Sequence, residues 1–521
     1  MIQVTVIYEN KKDTFCFEQS VLLSEVIQLH HFPLEVPCGG KGKCKQCRVK
    51  AVGELSPITQ TEKEGLTAEE LQRGIRLACL TYAQGNVEVT LFPKGRLENI
   101  VVKGVMPNFN PKPMMSGYGV SVDIGTTTIA AQLYGLSNGT ALQAVCMKNP
   151  QVKFGADVMT RIEQALNQKS EQLYYSIANG IDRMVREMAK QEQIKSDQID
   201  AIVITGNTVM LYFLTRQNVD CLAHAPFVAD RLFGESVQAD EIGIASAPFA
   251  KVYLPRCISA FVGADITMAI LASGMYKKDQ TSLLVDIGTN GEIALWHNGK
   301  MYCCSTAAGP AFEGAGIHMG VNGVNGAIDS VRTDHGKILC TTIGDEPAIG
   351  ICGSGIIDAI SVLCEAQVID ETGFMLEEGH EFEHLVTDCG GEAAFCINEH
   401  DIIITQKDIR MVQLAKSAIC AGMLTVIQNA GLVVEDIDCL YIAGGFGSYI
   451  NLDNAARIGL IPPQLASKAL VIGNAAASGA TMLLQNTDYI AESSKIAKNA
   501  QIIELTTNPL FLDHYRDCMS F

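Results

Sequence analysis

The first 95 residues contain short segments in which apolar and polar residues alternate. Alternation with a period of two is typical of strands that are buried on one face. It predicts strands at Gln3–Tyr8, Thr14–Glu18 and Asn86–Phe92, with an apolar helix at Leu22–His30 before a loop rich in glycine and cysteine. We therefore expect a small domain over residues 1–95 with the order strand, strand, helix, cysteine loop and late strand.

A different pattern begins after a proline-rich segment. Residues 96–118 contain the run Met106-Pro-Asn-Phe-Asn-Pro-Lys-Pro. Because proline removes backbone donors and fixes φ, this segment is predicted to be a flexible linker. Beyond it, Val120-Ser-Val-Asp-Ile-Gly-Thr-Thr-Thr-Ile-Ala is echoed by Leu283-Leu-Val-Asp-Ile-Gly-Thr-Asn-Gly-Glu-Ile-Ala, a domain's length later. This repeat predicts a duplicated region with halves at 119–275 and 276–521.

Three long segments with helical periodicity accompany the repeated strands. They are Ala156–Leu166, Leu173–Lys190 and Arg410–Asn429. Strands that alternate with such helices predict an α/β architecture in which helices cover the faces of a sheet. The chain is therefore expected to be a multidomain protein, α+β at its N-terminus and α/β beyond the linker.

Composition excludes several classes of function. The chain has 521 residues, of which 48% are apolar and 18% charged, so several packed domains are expected and long disorder is not. A net charge of −18 without a basic stripe argues against nucleic acid as a partner. The N-terminus lacks a signal-peptide pattern, and no uncharged apolar run reaches the roughly 20 residues that span a bilayer. We expect a cytoplasmic protein without a membrane partner, in which most of the 18 cysteines are free thiols.

Four cysteines have the spacing of iron–sulfur ligands. They are Cys38, Cys44, Cys47 and Cys79. A [2Fe–2S] cluster needs four thiolates, and three from one loop require the backbone to wrap around the cluster. Gly39, Gly40 and Gly42 allow the positive φ and the close approach that this requires. Together with the order of elements, the cysteines predict a β-grasp [2Fe–2S] ferredoxin domain.

A structural zinc site is the alternative for these cysteines. Zinc sites usually pair two short Cys-x-x-Cys spacings, whereas here the second half contributes one cysteine, so the cluster is favoured. Five residues separate Cys38 from Cys44, while plant-type ferredoxins have four, and the loop therefore resembles that of adrenodoxin and putidaredoxin. The remaining cysteines, including Cys303 and Cys304, are interpreted as small buried apolar residues.

The repeated Asp-Ile-Gly-Thr motifs predict two phosphate-binding hairpins. In such a turn, glycine lets backbone N–H groups point at a phosphate, threonine adds hydroxyl donors, and aspartate holds Mg²⁺ through water. The candidate residues are Asp123, Gly125, Thr126 and Thr127 in the first hairpin and Asp286, Gly288, Thr289, Asn290, Gly291 and Glu292 in the second. One such hairpin alone is weak evidence, but one in each half of a duplicated region is strong evidence.

With these hairpins the region resembles the superfamily of acetate and sugar kinases, Hsc70 and actin. The resemblance implies an actin-like ATPase in which ATP and Mg²⁺ lie in a cleft between the two halves. It implies that Gly444, Gly445 and Gly447 bind adenosine, and that Gly263-Ala-Asp265 and Gly473-Asn-Ala-Ala begin two hinge helices. It further implies that Asn207, Gly353, Ser354 and Gly355 line the same cleft, although the last three could serve only a turn.

The general base for ATP hydrolysis is left open. Glu292 and Asp265 are both candidates for orienting a water molecule, and Glu313 is a further carboxylate in a glycine-rich segment. Asp123 and Asp286 are expected to act through Mg²⁺. His224 and His318 are interpreted as packing or surface residues.

Over nearly its whole length the chain resembles the reductive activators of corrinoid-dependent methyltransferases. The segments that carry this resemblance are the ferredoxin domain, Asn149–Val158, Gly206–Met210, Ala308–Gly314 and Gln406–Arg410. The resemblance implies that the chain uses ATP to pass one electron from its cluster to the inactive cob(II)alamin of a corrinoid protein, restoring cob(I)alamin. It also implies an upstream low-potential electron donor and a homodimer.

The potentials explain why such a reaction would need ATP. The Co(II)/Co(I) couple has a lower reduction potential than an ordinary ferredoxin, whose potential is about −400 mV. For one electron, each ~59 mV of deficit is a factor of ten against transfer. Since a nucleotide acts only by binding two conformations differently, we expect the cleft to close on ATP·Mg, hold the corrinoid protein and raise the potential of its cobalt.

Two other functions are compatible with the motifs. An activator of a radical dehydratase also joins this ATPase fold to an iron–sulfur centre, but such proteins lack a β-grasp ferredoxin domain. A ferredoxin with a nucleotide-sensing domain would bind ATP without turnover, and an ATPase assay with and without acceptors separates it from an enzyme.

Overall fold

The computed structural model of the chain describes most of its residues. They are residues 2–8, 11–30, 32, 34, 36, 40, 42, 47–66, 68–91, 104–397, 402–445 and 449–521. The predicted ligands Cys38 and Cys44 and the predicted adenosine glycine Gly447 lie outside the described residues.

The N-terminal domain is a mixed sheet with a helix across one face. Its strands are β1 (Ile2–Tyr8), β2 (Lys11–Phe17), β3 (Val21–Leu22), β4 (Arg48–Leu55), β5 (Ile75–Leu77) and β6 (Tyr82–Leu91), and its helices are α1 (Leu23–Leu29), α2 (Gln60–Gly65) and α3 (Ala68–Gln72). The strand order is β2-β1-β6-β4-β5, with β3 beside β6, and β1 runs parallel to β6. This is the β-grasp arrangement that the alternation predicted, although β4 and β5 were not foreseen.

Two successive regions follow. The first contains β7 (Tyr118–Ile124), β8 (Thr128–Gly135), β9 (Thr140–Lys148), β10 (Ile199–Gly206), β11 (Glu235–Gln238) and β12 (Lys251–Leu254), with α4 (Val158–Gln164), α5 (Ser170–Gln191), α6 (Thr208–Leu214), α7 (Asp220–Ala223) and α8 (Ala264–Ser273). The strands of the second are β13 (Ser282–Ile287), β14 (Gly291–His297), β15 (Lys300–Thr306), β16 (Ala327–Asp334), β17 (Lys337–Thr342), β18 (Gly350–Ile351), β19 (Val386–Asp388), β20 (Ala393–Cys396), β21 (Ile403–Thr405), β22 (Cys439–Ala443), β23 (Ala469–Gly473) and β24 (Ala500–Ile502). Its helices are α9 (Gly353–Glu365), α10 (Gln406–Asn429), α11 (Leu452–Arg457), α12 (Ala475–Gln485), α13 (Asp488–Asn499) and α14 (Pro509–Asp517).

The two regions repeat one sheet topology. Five strands of the first sheet have the order β12-β10-β7-β8-β9, and five of the second have the order β23-β22-β13-β14-β15. In each, the strand that carries the Asp-Ile-Gly-Thr motif pairs antiparallel with the next strand and parallel with a later one. The internal repeat of the sequence is therefore a structural duplication, which confirms the predicted actin-like fold.

Helices α8 and α12 pack directly against each other between the two sheets. A Cβ atom on Gly479 of α12 would lie 2.2 Å from the backbone oxygen of Met268 in α8, so the two backbones are in contact. Alanine, serine and glycine fill the first half of α12, and these small side chains permit the approach. As the sequence predicted, these helices begin directly after Gly263 and Asn474.

The proline-rich segment is docked on the second half of the duplicated region. A flexible linker was predicted over 96–118, but residues 104–117, which we call the strap, are hydrogen-bonded to β23 and α12. The prolines remove some donors, while the remaining N–H groups find carbonyl partners. Val105 N–H donates to the Ile472 carbonyl (2.9 Å), and Lys112 N–H donates to the Gln485 carbonyl (2.8 Å). The prediction of a free linker is therefore wrong for this part.

Helix α10 is the longest helix in the described part of the chain. Among the described residues, it alone is long and apolar enough to cross a membrane by length and composition, and 78% of its apolar window is buried inside the protein. It packs against β14, β15 and α14, which places it in the core of the second half.

Candidate functional site

Two of the predicted cluster ligands face each other in the N-terminal domain. Cys47 and Cys79 are both buried, and their sulfur atoms are 3.2 Å apart, well beyond the length of a disulfide bond. The Ala78 N–H donates to the Cys47 carbonyl (2.9 Å), which holds the two segments side by side. In the cysteine loop, Gly40 and Gly42 both have positive φ, as a loop that wraps around a cluster requires.

A buried ion pair anchors the segment that carries Cys79. Glu62 of α2 is fully buried and accepts hydrogen bonds from Arg76 Nε (2.8 Å) and from the Leu77 N–H (3.1 Å). Burial by itself would raise the pKa of Glu62, but the hydrogen bonds from Arg76, Thr59 and Leu77 outweigh it and lower the pKa to about 2. The carboxylate is therefore ionised at neutral pH and fixes the backbone two residues before Cys79.

A cavity with a volume of about 540 Å³ lies between the two halves of the duplicated region. Both hairpins, the starts of α8, α9 and α12, and the glycine turn after β22 contribute to its wall. The predicted residues that line it are Asp123, Gly125, Thr126, Thr127, Asn207, Asp265, Asp286, Gly288, Thr289, Asn290, Glu292, Gly353, Ser354, Gly444 and Gly445. The structure thus brings residues from distant parts of the sequence together in one cleft.

Two predicted glycines do not line this cleft. A Cβ atom on Gly291 would lie 2.7 Å from Thr306 Oγ1, and one on Gly355 would lie 2.3 Å from the Ile328 carbonyl oxygen. Both positions therefore serve close packing within the second half. Gly444 is different, because it has a φ of +98° and its Cβ would lie 2.7 Å from Asp286 Oδ1. Only glycine allows the chain to turn there while the Asp286 carboxylate stays open to the cleft.

Carboxylates dominate the electrostatics of the cleft. Burial raises the pKa of Asp123 to about 6, against a hydrogen bond from Asn474 Nδ2 (3.0 Å) that lowers it. Burial and the charges of Asp123 and Glu313 raise the pKa of Asp286 to about 7. Burial and the charges of Asp286 and Asp123 raise the pKa of Asp265 to about 8. Such a cluster favours a bound cation.

Glu292 belongs to the same cluster. It lies directly opposite Asp286 in the β13–β14 pair, and burial together with the charges of Asp265 and Asp286 raises its pKa well above the usual value. Where the chain is described, no three His, Cys, Asp or Glu side chains are arranged to bind a metal ion directly.

Glu313 connects the two hairpins across the cleft. Its carboxylate accepts hydrogen bonds from Thr127 Oγ1 of the first hairpin and from Thr289 Oγ1 (2.9 Å) of the second. We call these contacts the Glu313 bridge. The sequence offered Glu313 only as one of several carboxylates, because nothing in a linear motif indicates that a side chain between hairpins contacts both.

A buried arginine, which was not predicted from the sequence, is hydrogen-bonded to the backbone of the first hairpin. Arg161 of α4 is fully buried and donates to the backbone carbonyls of Gly155 (2.9 Å) and Thr126. Burial lowers its pKa to about 9, so it stays charged at neutral pH. Burial raises the pKa of Glu313, and the hydrogen bonds from the two threonines and the charge of Arg161 oppose that rise. The available signal was its helical spacing, which puts Arg161 on the same face as the apolar Val158 and Ile162.

Models of three protein families match the chain in succession. The model described as a 2Fe-2S iron-sulfur cluster binding domain matches residues 7–84. The model described as the RACo middle region matches residues 118–278. The model described as the C-terminal domain of RACo, the ASKHA domain, matches residues 280–521.

Curated relatives match over most of the chain. The corrinoid activation enzyme RamQ of Eubacterium limosum is 30% identical over 95% of this chain and 95% of its own length. A [Co(II) methylated amine-specific corrinoid protein] reductase of Methanosarcina barkeri is 26% identical over 76% of each chain. A solved structure described as a reductive activator for corrinoid, iron-sulfur protein is 26% identical, with a TM-score of 0.74, over 99% of this chain and 98% of its own.

Proposed function

We propose that the chain, which belongs to the RACo family, is an ATP-dependent enzyme that reductively activates a corrinoid protein. In this activity one electron converts the inactive cob(II)alamin of a methyltransferase system to cob(I)alamin. The observation that carries the proposal is the cleft where both Asp-Ile-Gly-Thr hairpins meet, in a chain that also holds a cysteine pair in a ferredoxin fold.

The N-terminal domain suits a [2Fe–2S] cluster. Cys47 and Cys79 lie together in a buried position, and we assign Cys38 and Cys44 as the other two ligands from their spacing. When bound, the cluster supplies one-electron transfer. The Glu62–Arg76 pair and the Ala78 N–H bond hold in place the segments that carry the two described thiols.

The cleft suits ATP and Mg²⁺. We assign the phosphates to the N–H groups and hydroxyls of the two hairpins, and the adenosine to the turn at Gly444 and Gly445. Mg²⁺ is assigned to Asp123 and Asp286, where it would neutralise charge and orient the phosphates. Asp265 and Glu292 are the residues we assign to orienting the attacking water.

The nucleotide can influence the corrinoid protein only if it binds two arrangements of the halves differently. The hairpins belong to different halves, so a triphosphate held by both favours the closed arrangement. We infer that this arrangement grips the corrinoid protein and brings its cobalt within reach of the N-terminal domain. An upstream low-potential donor and a homodimer complete the proposal and rest on the resemblance alone.

The test uses the purified holoprotein, a chemical reductant and a corrinoid protein in the cob(II) state. Visible spectroscopy follows the formation of cob(I)alamin with and without ATP. The proposal expects fast reduction only with ATP, and equally complete reduction without ATP would contradict it.

Two cysteine variants give a matched control for this test. Cys79→Ser should abolish both the cluster absorbance and the reduction of the corrinoid. Cys16→Ser removes an exposed thiol on β2 and should leave both unchanged. Equal activity of the two variants would show that the electron does not pass through the N-terminal domain.

A further inference from the structure

The Glu313 bridge uses the same donors that a phosphate would need. Thr127 and Thr289 donate their hydroxyls to the two oxygens of one carboxylate, and the Thr289 backbone N–H is a third donor to it. The Gly309 N–H in turn donates to the Thr289 carbonyl (2.9 Å), which fixes the segment that carries Glu313 on the second hairpin. A carboxylate and a phosphoryl group are both anions that accept several hydrogen bonds, so both fit this set of donors.

The position of Glu313 also allows a phosphate to displace its carboxylate from the two threonine hydroxyls. It is half-buried in the cleft wall, and the charge of Arg161 acts on it from behind the first hairpin. Arg161 is held by the carbonyls of Gly155 and Thr126, so its position does not depend on the bridge. A carboxylate that releases the threonines therefore keeps a favourable positive charge nearby.

We infer that Glu313 is a positioning residue that joins the two hairpins until the phosphoryl groups of ATP take over Thr127 and Thr289. Its carboxylate competes with the nucleotide for these donors and sets how tightly the cleft binds ATP. This inference rests on the proposed function, because it assigns the hairpins to the phosphates of ATP.

The consequence is a gain in nucleotide affinity when the competitor is removed. Releasing even one hydrogen bond to a charged group corresponds to at least about a tenfold change in affinity. We expect Glu313→Ala to bind a non-hydrolysable ATP analogue about tenfold more tightly than the unmodified protein, and Glu313→Gln, whose amide oxygen still accepts one hydroxyl, to show a smaller gain. Thr127→Val and Thr289→Val should bind it more weakly, because they lack a phosphate donor.

A double-mutant cycle separates competition from a general effect of charge. If Glu313 acts through the threonine hydroxyls, Glu313→Ala should change the affinity less than about twofold in the Thr127→Val/Thr289→Val background. If it acts only through its charge, the tenfold gain should persist there. Asp329→Asn measures the effect of charge directly, because Asp329 lines the same cleft but accepts a hydrogen bond from Thr341 (2.7 Å) and not from a hairpin.

Isothermal titration calorimetry of the full chain gives these affinities, and circular dichroism confirms that each variant is folded. Unchanged or weaker binding by both Glu313 variants would overturn the inference, as would an equal gain for Asp329→Asn. Unchanged binding with a large loss of hydrolysis would instead make Glu313 the base. If the unmodified protein binds no ATP analogue at all, the proposed function itself fails, which is a different result.

Discussion

Asp286 and Glu292 are direct neighbours across two paired strands, an arrangement in which like charges repel. The fold accepts this repulsion because both side chains face the cleft, where Asp123 and Asp265 add to it. Protonation relieves part of this repulsion, which is why the pKa values of Asp286 and Glu292 are raised, and a bound cation would relieve it as well. At the scale of residues, the cleft therefore favours a positive charge beside these carboxylates.

The raised pKa values predict that stability without metal falls as the pH rises. The folded-state pKa values of Asp123, Asp286 and Asp265 are about 6, 7 and 8, above the usual value of an aspartate. Between about pH 5 and pH 8 the folded state binds more protons than the unfolded state, so the free energy of unfolding decreases as the pH rises. We expect the Tm in EDTA to be several degrees lower at about pH 8 than at about pH 5.5.

Asp286→Asn should make this pH dependence shallower, because an amide does not titrate. The matched control is Asp279→Asn, which removes an exposed carboxylate just before the same strand. Thermal unfolding at several pH values measures both. A slope that Asp286→Asn leaves unchanged would show that the cleft carboxylates are not its source.

The Glu62–Arg76 pair predicts a second effect at the residue scale. Glu62→Gln leaves Arg76 buried without a counter-charge, and breaking a buried pair in this way costs about 3–5 kcal/mol. The segment that carries Cys79 should loosen, so the cluster absorbance should be lost at a lower temperature. Glu64→Gln is the control, since Glu64 lies on the same helix but is exposed, where it accepts a hydrogen bond from Gln60 Nε2 (2.9 Å). If both variants lose the cluster absorbance at the same temperature, Glu62 does not anchor the segment that carries Cys79.

At the scale of elements, the sequence predicted what depends on local patterns. Alternation located β1, β2 and β6, and the repeated motif located both hairpins. Strand β4 contains a glycine that interrupts its alternation and β5 has only three residues, and neither was foreseen. The strap was misjudged because its prolines resemble those of a free linker, while its partners on β23 and α12 lie far away in the sequence. The Glu313 bridge could not be predicted for the same reason, because it forms only when the two halves come together in the folded protein.

The packing of α8 against α12 gives a prediction for these two elements. Gly479→Ala adds a methyl group where the Met268 carbonyl lies only 2.2 Å away, so the two helices must separate. Overpacking of this kind costs about 1–3 kcal/mol. Because both helices begin at the cleft, we also expect weaker binding of the ATP analogue.

Gly180→Ala is the matched control for this change. It also replaces a helical glycine, but its added methyl group would face the flexible end of Met147 (3.5 Å) and a Pro150 side-chain atom (3.3 Å) rather than a backbone. Thermal unfolding and calorimetry compare the two variants. If both variants lower the Tm and the affinity equally, the contact between α8 and α12 does not determine either quantity.

At the scale of the whole molecule, the strap links the N-terminal domain to the nucleotide cleft. Its Val105 N–H is bonded to Ile472, two residues before Asn474. Asn474 caps the start of α12 and donates to the Asp123 carboxylate in the cleft (3.0 Å). A change of the cleft around Asp123 therefore has a short covalent and hydrogen-bonded route to the segment that leads to the electron-carrying domain.

The route predicts that a strap variant separates ATP hydrolysis from electron delivery. Val105→Pro removes the N–H that donates to Ile472, whereas Val105→Ala keeps it, and the Val105 side chain itself is 60% exposed and contributes little packing. We expect Val105→Pro to retain its cluster absorbance and its ATPase activity, while the acceleration of cob(II)alamin reduction by ATP falls about tenfold. Val105→Ala should behave like the unmodified protein. If Val105→Pro keeps the full acceleration, the strap is only a tether, and the nucleotide must act through the corrinoid protein alone.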